Sequence, residues 1–267
     1  MERTQLTFQE LEQQMRSIEN AREGEIPADA YIIARLDGRG FSKLTKAHFE
    51  KPFDEEFHRL MIETMRYIMD KEPEIALAYN QSDEISVLIM PGSSTFNRKA
   101  RKLLSLLPAE ASAKFSLLLG EPVCFDCRLN IQPDVEGVLR YFTWRSIDAE
   151  RNAFNACAYW LLRKQGMQPQ AAAELLRSLD TPGHRKLLQE HHADTSAIPV
   201  WQTRGIILHR VMEEREGFNP RTQERTTCTR RVLVESDYSD RQLRDRCGSK
   251  TGVTKKYHHI GNTSSRT

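Results

Sequence analysis

The sequence holds no apolar run near the roughly 18 to 20 residues needed to cross a bilayer. Its first residues, MERTQLTFQELEQQM, lack the charged-then-apolar build of a signal peptide. The expectation is a soluble, cytoplasmic chain. Nor is there a surplus of either charge: 39 Lys and Arg against 37 Asp and Glu leave a formal +2, so overall charge does not mark a nucleic-acid binder and local clusters must carry that argument. Cysteine is scarce and odd in number, at 124, 127, 157, 228 and 247, which argues against a disulfide framework in a chain of 267 residues that can bury an ordinary core. Reduced thiols are expected. Cys124 and Cys127 form a lone C-x-x-C within the strand-like VCFDCRLNI, where residues three apart point to opposite faces. No second such pair supplies the remaining zinc ligands, and buried structural cysteines are the expectation. No internal repeat is evident, and neither a Walker A loop nor a full dinucleotide fingerprint is completed.

What is present is a clear order of elements. Phe8, Leu11, Met15 and Ile18 recur at helical intervals and predict an amphipathic helix over residues 8–22. YIIARL predicts a strand, Asp54 to Lys71 a helix with Phe57, Leu60, Met61, Met65 and Ile68 on one face, and IALAY with ISVLIM two strands around the short link NQSDE, hence a hairpin. A helical run from Thr95 to about Leu119, kinked at Pro108, and the strand VCFDCRLNI complete a β-α-β-β-α-β series. That order is the ferredoxin-like α+β arrangement, an antiparallel sheet with both helices on one face. The other face is left open, with Asp37, Asp126, Arg128 and Asn130 directed to it while Phe125, Cys127, Leu129 and Ile131 face the helices. Residues 1–133 would form this core. Residues 134–247 would add a helical annex (135–142, 144–164, PQAAAELLRSL and HRKLLQEHH) and a second hairpin packed on the core, and 248–267 a disordered tail.

The strand YIIARL ends in Asp37, followed by Gly38, Arg39 and Gly40. A carboxylate beside glycine lets a hard cation approach both a side-chain oxygen and the backbone. The hairpin link supplies Asp83 and Glu84, which the strand order brings near Asp37, so two carboxylates could hold one or two Mg²⁺ ions. Taken singly, each reads better as an ordinary turn aspartate; the pairing in this strand order favours the metal. Arg98, Arg101 and Lys102 form a stripe at i, i+3, i+4 with Lys99 beside it, and Lys51 lies in HFEKP. Such base could balance a triphosphate, or be a solvated helix face.

The blocks ARLDGRGFSKLTK, FEKPFDEEF, AYNQSDEISVLI, FNRKARKLLS, FDCRLN and YFTWRSIDAERNAFNACAYW, in this order, resemble the tRNA(His) guanylyltransferase family of 3′-to-5′ RNA polymerases, and EREGFNPRTQERTTCTRRVLV resembles its bacterial and archaeal branch. The likeness runs from about Phe8 to Val234. It implies a polymerase-type palm in which Asp37, Asp83 and the Gly38 carbonyl hold two Mg²⁺ ions, with Glu84 as acidic neighbour. It further implies that Asp37, Gly38, Arg39, Gly40, Phe41 and Ser42, with Ser82 and Asp83, contact the nucleotide, and that Lys51, Lys99, Lys102 and Arg128 meet a triphosphate or activated RNA end. GTP and ATP would be substrates, tRNA the partner and a homotetramer the assembly. Two departures bear on the RNA 5′ end: Glu150 stands where eukaryotic members carry histidine, with Asn152 retained, and PGHRKLL replaces a D-K-N-E segment. Their loss leans toward repair of truncated tRNA 5′ ends over guanosine addition to tRNA(His). A palm-type nucleotide cyclase or another nucleotidyltransferase, and a non-catalytic RNA-binding module, are the competing readings; the last needs exposed aromatics on the central strands, where charged and small residues stand.

Overall fold

Tyr31–Gly38 forms the first strand, β1, and its alternation sets the architecture. Ile32, Ala34 and Leu36 enter one apolar core and Ile33 a second on the opposite face, as the two-residue period of a strand requires. The computed structural model describes residues 7–20, 24, 26–219, 221, 223–247 and 254–255. Helix α1 (Phe8–Asn20) precedes β1, which is followed by α2 (Phe41–His48), α3 (Glu55–Lys71), β2 (Ile75–Gln81), β3 (Glu84–Ile89), α4 (Ala100–Leu119) and β4 (Phe125–Gln132). Then come α5 (Val135–Lys164), α6 (Pro169–Arg177), α7 (Thr181–Glu190), α8 (Val200–Thr203), β5 (Ile206–Asn219), β6 (Glu224–Asp237) and α9 (Asp240–Cys247). The strands form one sheet in the order β4-β1-β3-β2-β5-β6, antiparallel throughout that path. The expected β-α-β-β-α-β core is present.

Helices α3 and α4 share one face: Met61, Met65 and Ile68 of α3 and Leu103, Leu107 and Phe115 of α4 pack in the same core as Ile32 and Leu36. The opposite face is not open, as the sequence predicts, but covered in part. Val138 and Phe142 of α5 and Leu243 of α9 pack over Ile33, Leu77, Leu88 and Ile207. Uncovered ground on that face includes the β4 edge, where Asp126 and Arg128 are exposed. Two predicted annex helices, 135–142 and 144–164, are one helix of 30 residues, since no glycine or proline interrupts the run between them. Its far half builds a third core with α6 and α7, through Phe154, Leu162, Leu176 and Leu188.

Other corrections have local causes. The second hairpin extends the sheet rather than packing on it, because β5 pairs with β2 from Leu77↔His209 to Asn80↔Ile206. Arg210 of β5 secures the join by donating to the carbonyls of Ile75 and Met69. Helix α4 begins at Ala100, and Pro108 lies within it. The break falls instead at Phe96, Asn97 and Arg98, whose φ angles are 49°, 52° and 54°. The predicted tail lies outside the described residues, except for Thr254–Lys255, a short strand β7 parallel to Val211 and Met212. All five cysteines are free, but Cys124 is exposed rather than buried. Ile131, expected to face the helices, is likewise exposed.

The left-handed turn at 96–98 has a purpose visible in Arg98. Predicted on the basic stripe, this side chain instead turns inward, 8% exposed, and its guanidinium donates to the carbonyls of Pro27 (2.7 Å), Ala30 (2.5 Å) and Met90 (3.3 Å). It therefore ties the start of β1 to the end of β3. Arg98→Ala strands three carbonyls, so a loss of about 2 to 4 kcal/mol in urea unfolding is expected. Loss below about 0.5 kcal/mol would show that water replaces the guanidinium at no cost.

Candidate active site

The site begins with a register. Asp37 is the cross-strand partner of Glu84, and the Gly38 amide donates to the Asp83 carbonyl at 3.2 Å. The β2–β3 link is thus reduced to Ser82 and Asp83, closed by the Gln81↔Glu84 pair, with Ser82 at φ 53°, a strained value for a residue with a Cβ. Buried Asn80 props this loop by donating from Nδ2 to the carbonyls of Ser82 (3.1 Å) and Glu84 (2.9 Å). Asp37, on β1, and Asp83, in the turn that leads into β3, are in this way set together at one end of the sheet. The two glycines after Asp37 have separate reasons. A Cβ on Gly38 would lie 2.4 Å from the Phe41 ring, and Gly40 sits at φ 77°. Between them the chain turns sharply enough to start α2, which the sequence did not reveal because its eight residues carry only Phe41 and Leu44 as periodic apolar positions.

Helix α2 walls a cleft of about 310 Å³ with Ser42, Thr45 and Lys46. Lys51, Pro52, Ser82 and Asp83, with Ala156 and Trp160 of α5, complete its lining. Lys51 Nζ donates to Thr45 Oγ1 at 2.5 Å, and Thr45 Oγ1 in turn to the Phe41 carbonyl at 2.8 Å. Burial lowers the Lys51 ammonium, while the charges of Asp83 and Asp54 hold it up. Burial pushes the Asp83 carboxyl above its ordinary value, and the charge of Asp37 adds to this while Lys51 opposes it. A smaller pocket of about 60 Å³ adjoins through Thr45, Lys51, Pro52 and Ser82 and is walled by Phe49, Phe53 and Phe57, with His58 stacked on Trp201 at 4.3 Å.

Glu84 is engaged elsewhere. Arg145 of α5 grips both its oxygens, Nε to Oε1 at 2.7 Å and Nη2 to Oε2 at 2.6 Å, and Arg35 stands 3.9 Å away. Arg128 is exposed on β4 as the partner of Arg35, one same-face step from Asp37. Arg39 is exposed, its amide donating to the Cys124 carbonyl at 2.8 Å. Two predicted residues are not brought into this group. Lys99 and Lys102 flank the start of α4, next to Arg98 and hence near Ala30, seven residues back along β1 from Asp37, or about 23 Å. The two departures noted above meet each other: Glu150 of α5 is ion-paired with Arg185 of α7, whose guanidinium lies 4.1 Å from the Phe154 ring centroid. Thr45, Lys46, Asn80, Arg145 and Trp160 were not singled out from sequence, since their roles depend on the course of α2 and α5.

Among the described residues no group of three or more His, Cys, Asp or Glu side chains could hold a metal ion. Asp37 and Asp83 suit the smaller requirement of Mg²⁺, which takes one or two carboxylates and completes its shell with water and phosphate. An acid on β1 and another in the adjoining β2–β3 turn of an antiparallel sheet, beside a lysine- and hydroxyl-lined cleft, are the arrangement a palm-class nucleotidyltransferase would need. Comparison with known proteins narrows the class. The family model for tRNAHis guanylyltransferase matches residues 12–133. A Drosophila melanogaster protein described as a probable tRNA(His) guanylyltransferase is 30% identical over 200 residues, 71% of this chain and 70% of its own length. The tRNA(His) guanylyltransferase of Debaryomyces hansenii is 28% identical over 234 residues, 81% of this chain and 88% of its own. A bacterial tRNA(His) guanylyltransferase (Thg1)-like protein solved with ATP superposes with a TM-score of 0.65 at 30% identity, over 74% of this chain and 88% of that one. Another such structure, with GTP, gives 0.64 at 26% identity, over 84% and 90%. The chain belongs to the tRNA(His) guanylyltransferase family.

The raised Asp83 carboxyl makes stability depend on pH with a definite sign. Its folded-state pKa lies above the unfolded value of about 3.9, so the native state holds this proton more tightly. The associated stability is present below about pH 4 and is lost as the pH rises through the folded value. In metal-free buffer at pH 7, Asp83→Asn therefore raises the thermal midpoint, and the gain vanishes near pH 3. A midpoint lowered at pH 7 would contradict this.

Proposed function

We propose that the chain adds nucleotides to the 5′ end of tRNA in the 3′-to-5′ direction, using the cleft at Asp37 and Asp83. The observation that carries this reading is the β1–β3 register and the Gly38–Asp83 hydrogen bond, which set Asp37 beside Asp83, itself one of the residues that line a cleft with Lys46 and Lys51. The family relationship and the ATP and GTP held by two structural relatives support it. In the reaction the RNA 5′-phosphate is activated by adenylylation or retained as a triphosphate. The 3′-hydroxyl of an incoming nucleotide attacks that phosphorus, and AMP or pyrophosphate leaves. Asp37 and Asp83, with the Gly38 carbonyl, would hold divalent cations. Mg²⁺ bound there supplies charge neutralisation and a lowered pKa for the attacking hydroxyl.

The remaining work belongs to the chain's own groups. Gly40 caps α2 without a side-chain hydrogen bond, so the first amides of that helix stay available to phosphate oxygens, favoured there by the helix dipole. Lys46 and Lys51 balance triphosphate charge that the cations leave over. The aromatic walls of the adjoining pocket suit a nucleobase, whose flat faces stack on rings of any sequence. With Asp37 and Asp83 given to metal, the remaining cleft side chains are hydroxyls, lysines and apolar groups, so the protein positions and polarises while RNA pairing selects the nucleotide. Glu150, occupied by Arg185, is not spare for the RNA 5′ end, which favours end repair over a dedicated tRNA(His) reaction.

Purified protein incubated with 5′-truncated tRNA, Mg²⁺, ATP and labelled GTP should extend the RNA, and Asp37→Ala and Asp83→Ala should each lose at least about 1,000-fold. Cyclic nucleotide as the product, or unaffected variants, would sink the assignment. Position separates the lysines in a second experiment. Lys51→Ala should raise the nucleotide KM about tenfold, whereas Lys102→Ala should leave it within twofold. The reverse order would place the triphosphate at α4.

A further inference from the structure

We infer that Arg145 is a positioning residue: by gripping Glu84 it withholds a third carboxylate from the cations bound by Asp37 and Asp83, and fixes the turn that presents Asp83. This rests on the proposed cation site. Glu84 follows Asp83 directly and faces Asp37 across β1 and β3, and two like charges so placed repel. A free Glu84 would be drawn to a nearby cation, since hard cations accept additional carboxylate oxygens. Instead both its oxygens are spent on one guanidinium fork, at 2.7 and 2.6 Å, with the two side chains only 14% and 12% exposed.

The fork is itself held. Arg145 Nη1 lies 3.3 Å from Asp148 Oδ2 one turn on, and its guanidinium lies 4.6 Å from the Trp144 ring centroid. One turn earlier the Tyr141 and Ser86 hydroxyls are hydrogen-bonded at 2.9 Å, so α5 is pinned to β3 at two successive positions. The same helix carries Ala156 and Trp160 on the cleft wall. The Arg145–Glu84 pair therefore sets the charge of the cation site and the relation of α5 to the Ser82–Asp83 turn together. A lysine would restore charge without the planar two-point grip.

Mn²⁺, whose free form is read by electron paramagnetic resonance, probes the site without turnover. Arg145→Ala removes a positive charge and frees a negative one, so Mn²⁺ binding should tighten about fivefold, while nucleotide transfer at saturating metal falls at least about tenfold. A merely structural loss would weaken binding or leave it unmoved. Arg145→Lys should keep Mn²⁺ affinity within about twofold of wild type yet lose part of the rate. Arg145→Ala combined with Glu84→Gln should return affinity to the wild-type range. Unchanged or weaker binding in Arg145→Ala, or a double variant as tight as the single one, overturns the proposal. Should circular dichroism show that Arg145→Ala does not fold, Glu84→Gln alone decides: it leaves the guanidinium uncompensated and should weaken Mn²⁺ about fivefold, and no change overturns the inference. If the affinities move as stated but wild type extends no RNA 5′ end, the functional reading fails and the pairing stands.

Discussion

The backbone ladder between β1 and β3 is the constraint from which the site follows. It sets Asp37 opposite Glu84 and closes on the Gly38 amide and Asp83 carbonyl. A shift of one residue would reverse every side chain of β1 between the two faces, burying Asp37 among the α3 and α4 side chains and expelling Leu36. The two apolar cores forbid this. Ile32, Ala34 and Leu36 on one face and Ile33 on the other are fully buried, so the packing energy of the sheet is also what locates its acids.

Charge at this end of the sheet is arranged in tiers. Glu84 is satisfied internally by Arg145, and Asp83 is half-buried and held at a cost that a cation would relieve. Lys51 leans on Thr45 and faces the same cleft. Acid and base thus meet at this end of the sheet: Glu84 on Arg145, and Asp83 within the electrostatic reach of Lys51 in one cleft. The glycines after Asp37 are required by the Phe41 ring and by a left-handed turn, both of which keep the α2 amides near Asp37.

Much of this was legible in the sequence. The two-residue alternation of YIIARLD and the short QSDE link suffice to put Asp37 and Asp83 together, and Phe57 to Ile68 show their helical face directly. What was not legible depended on direction rather than pattern. Arg98 and Lys102 obey the same helical spacing, yet a left-handed turn just before α4 sends Arg98 inward and puts the helix start at the far end of β1. Cys124 reads as part of a buried strand but precedes its first paired residue. Arg145 and Trp160 gain meaning only once α5 is seen to cross from the sheet to the annex, which no local periodicity announces.

The central claim is that Asp37 and Asp83 hold cations in a cleft that also holds the nucleotide. Anomalous scattering from crystals grown with Mn²⁺ and a non-reactive GTP analogue tests it most directly. The account requires a peak within coordination distance of both carboxylates and of the analogue's phosphates, with Glu84 still on Arg145. A bound analogue with its Mn²⁺ peak elsewhere, or on Glu84 in place of Asp83, would contradict it.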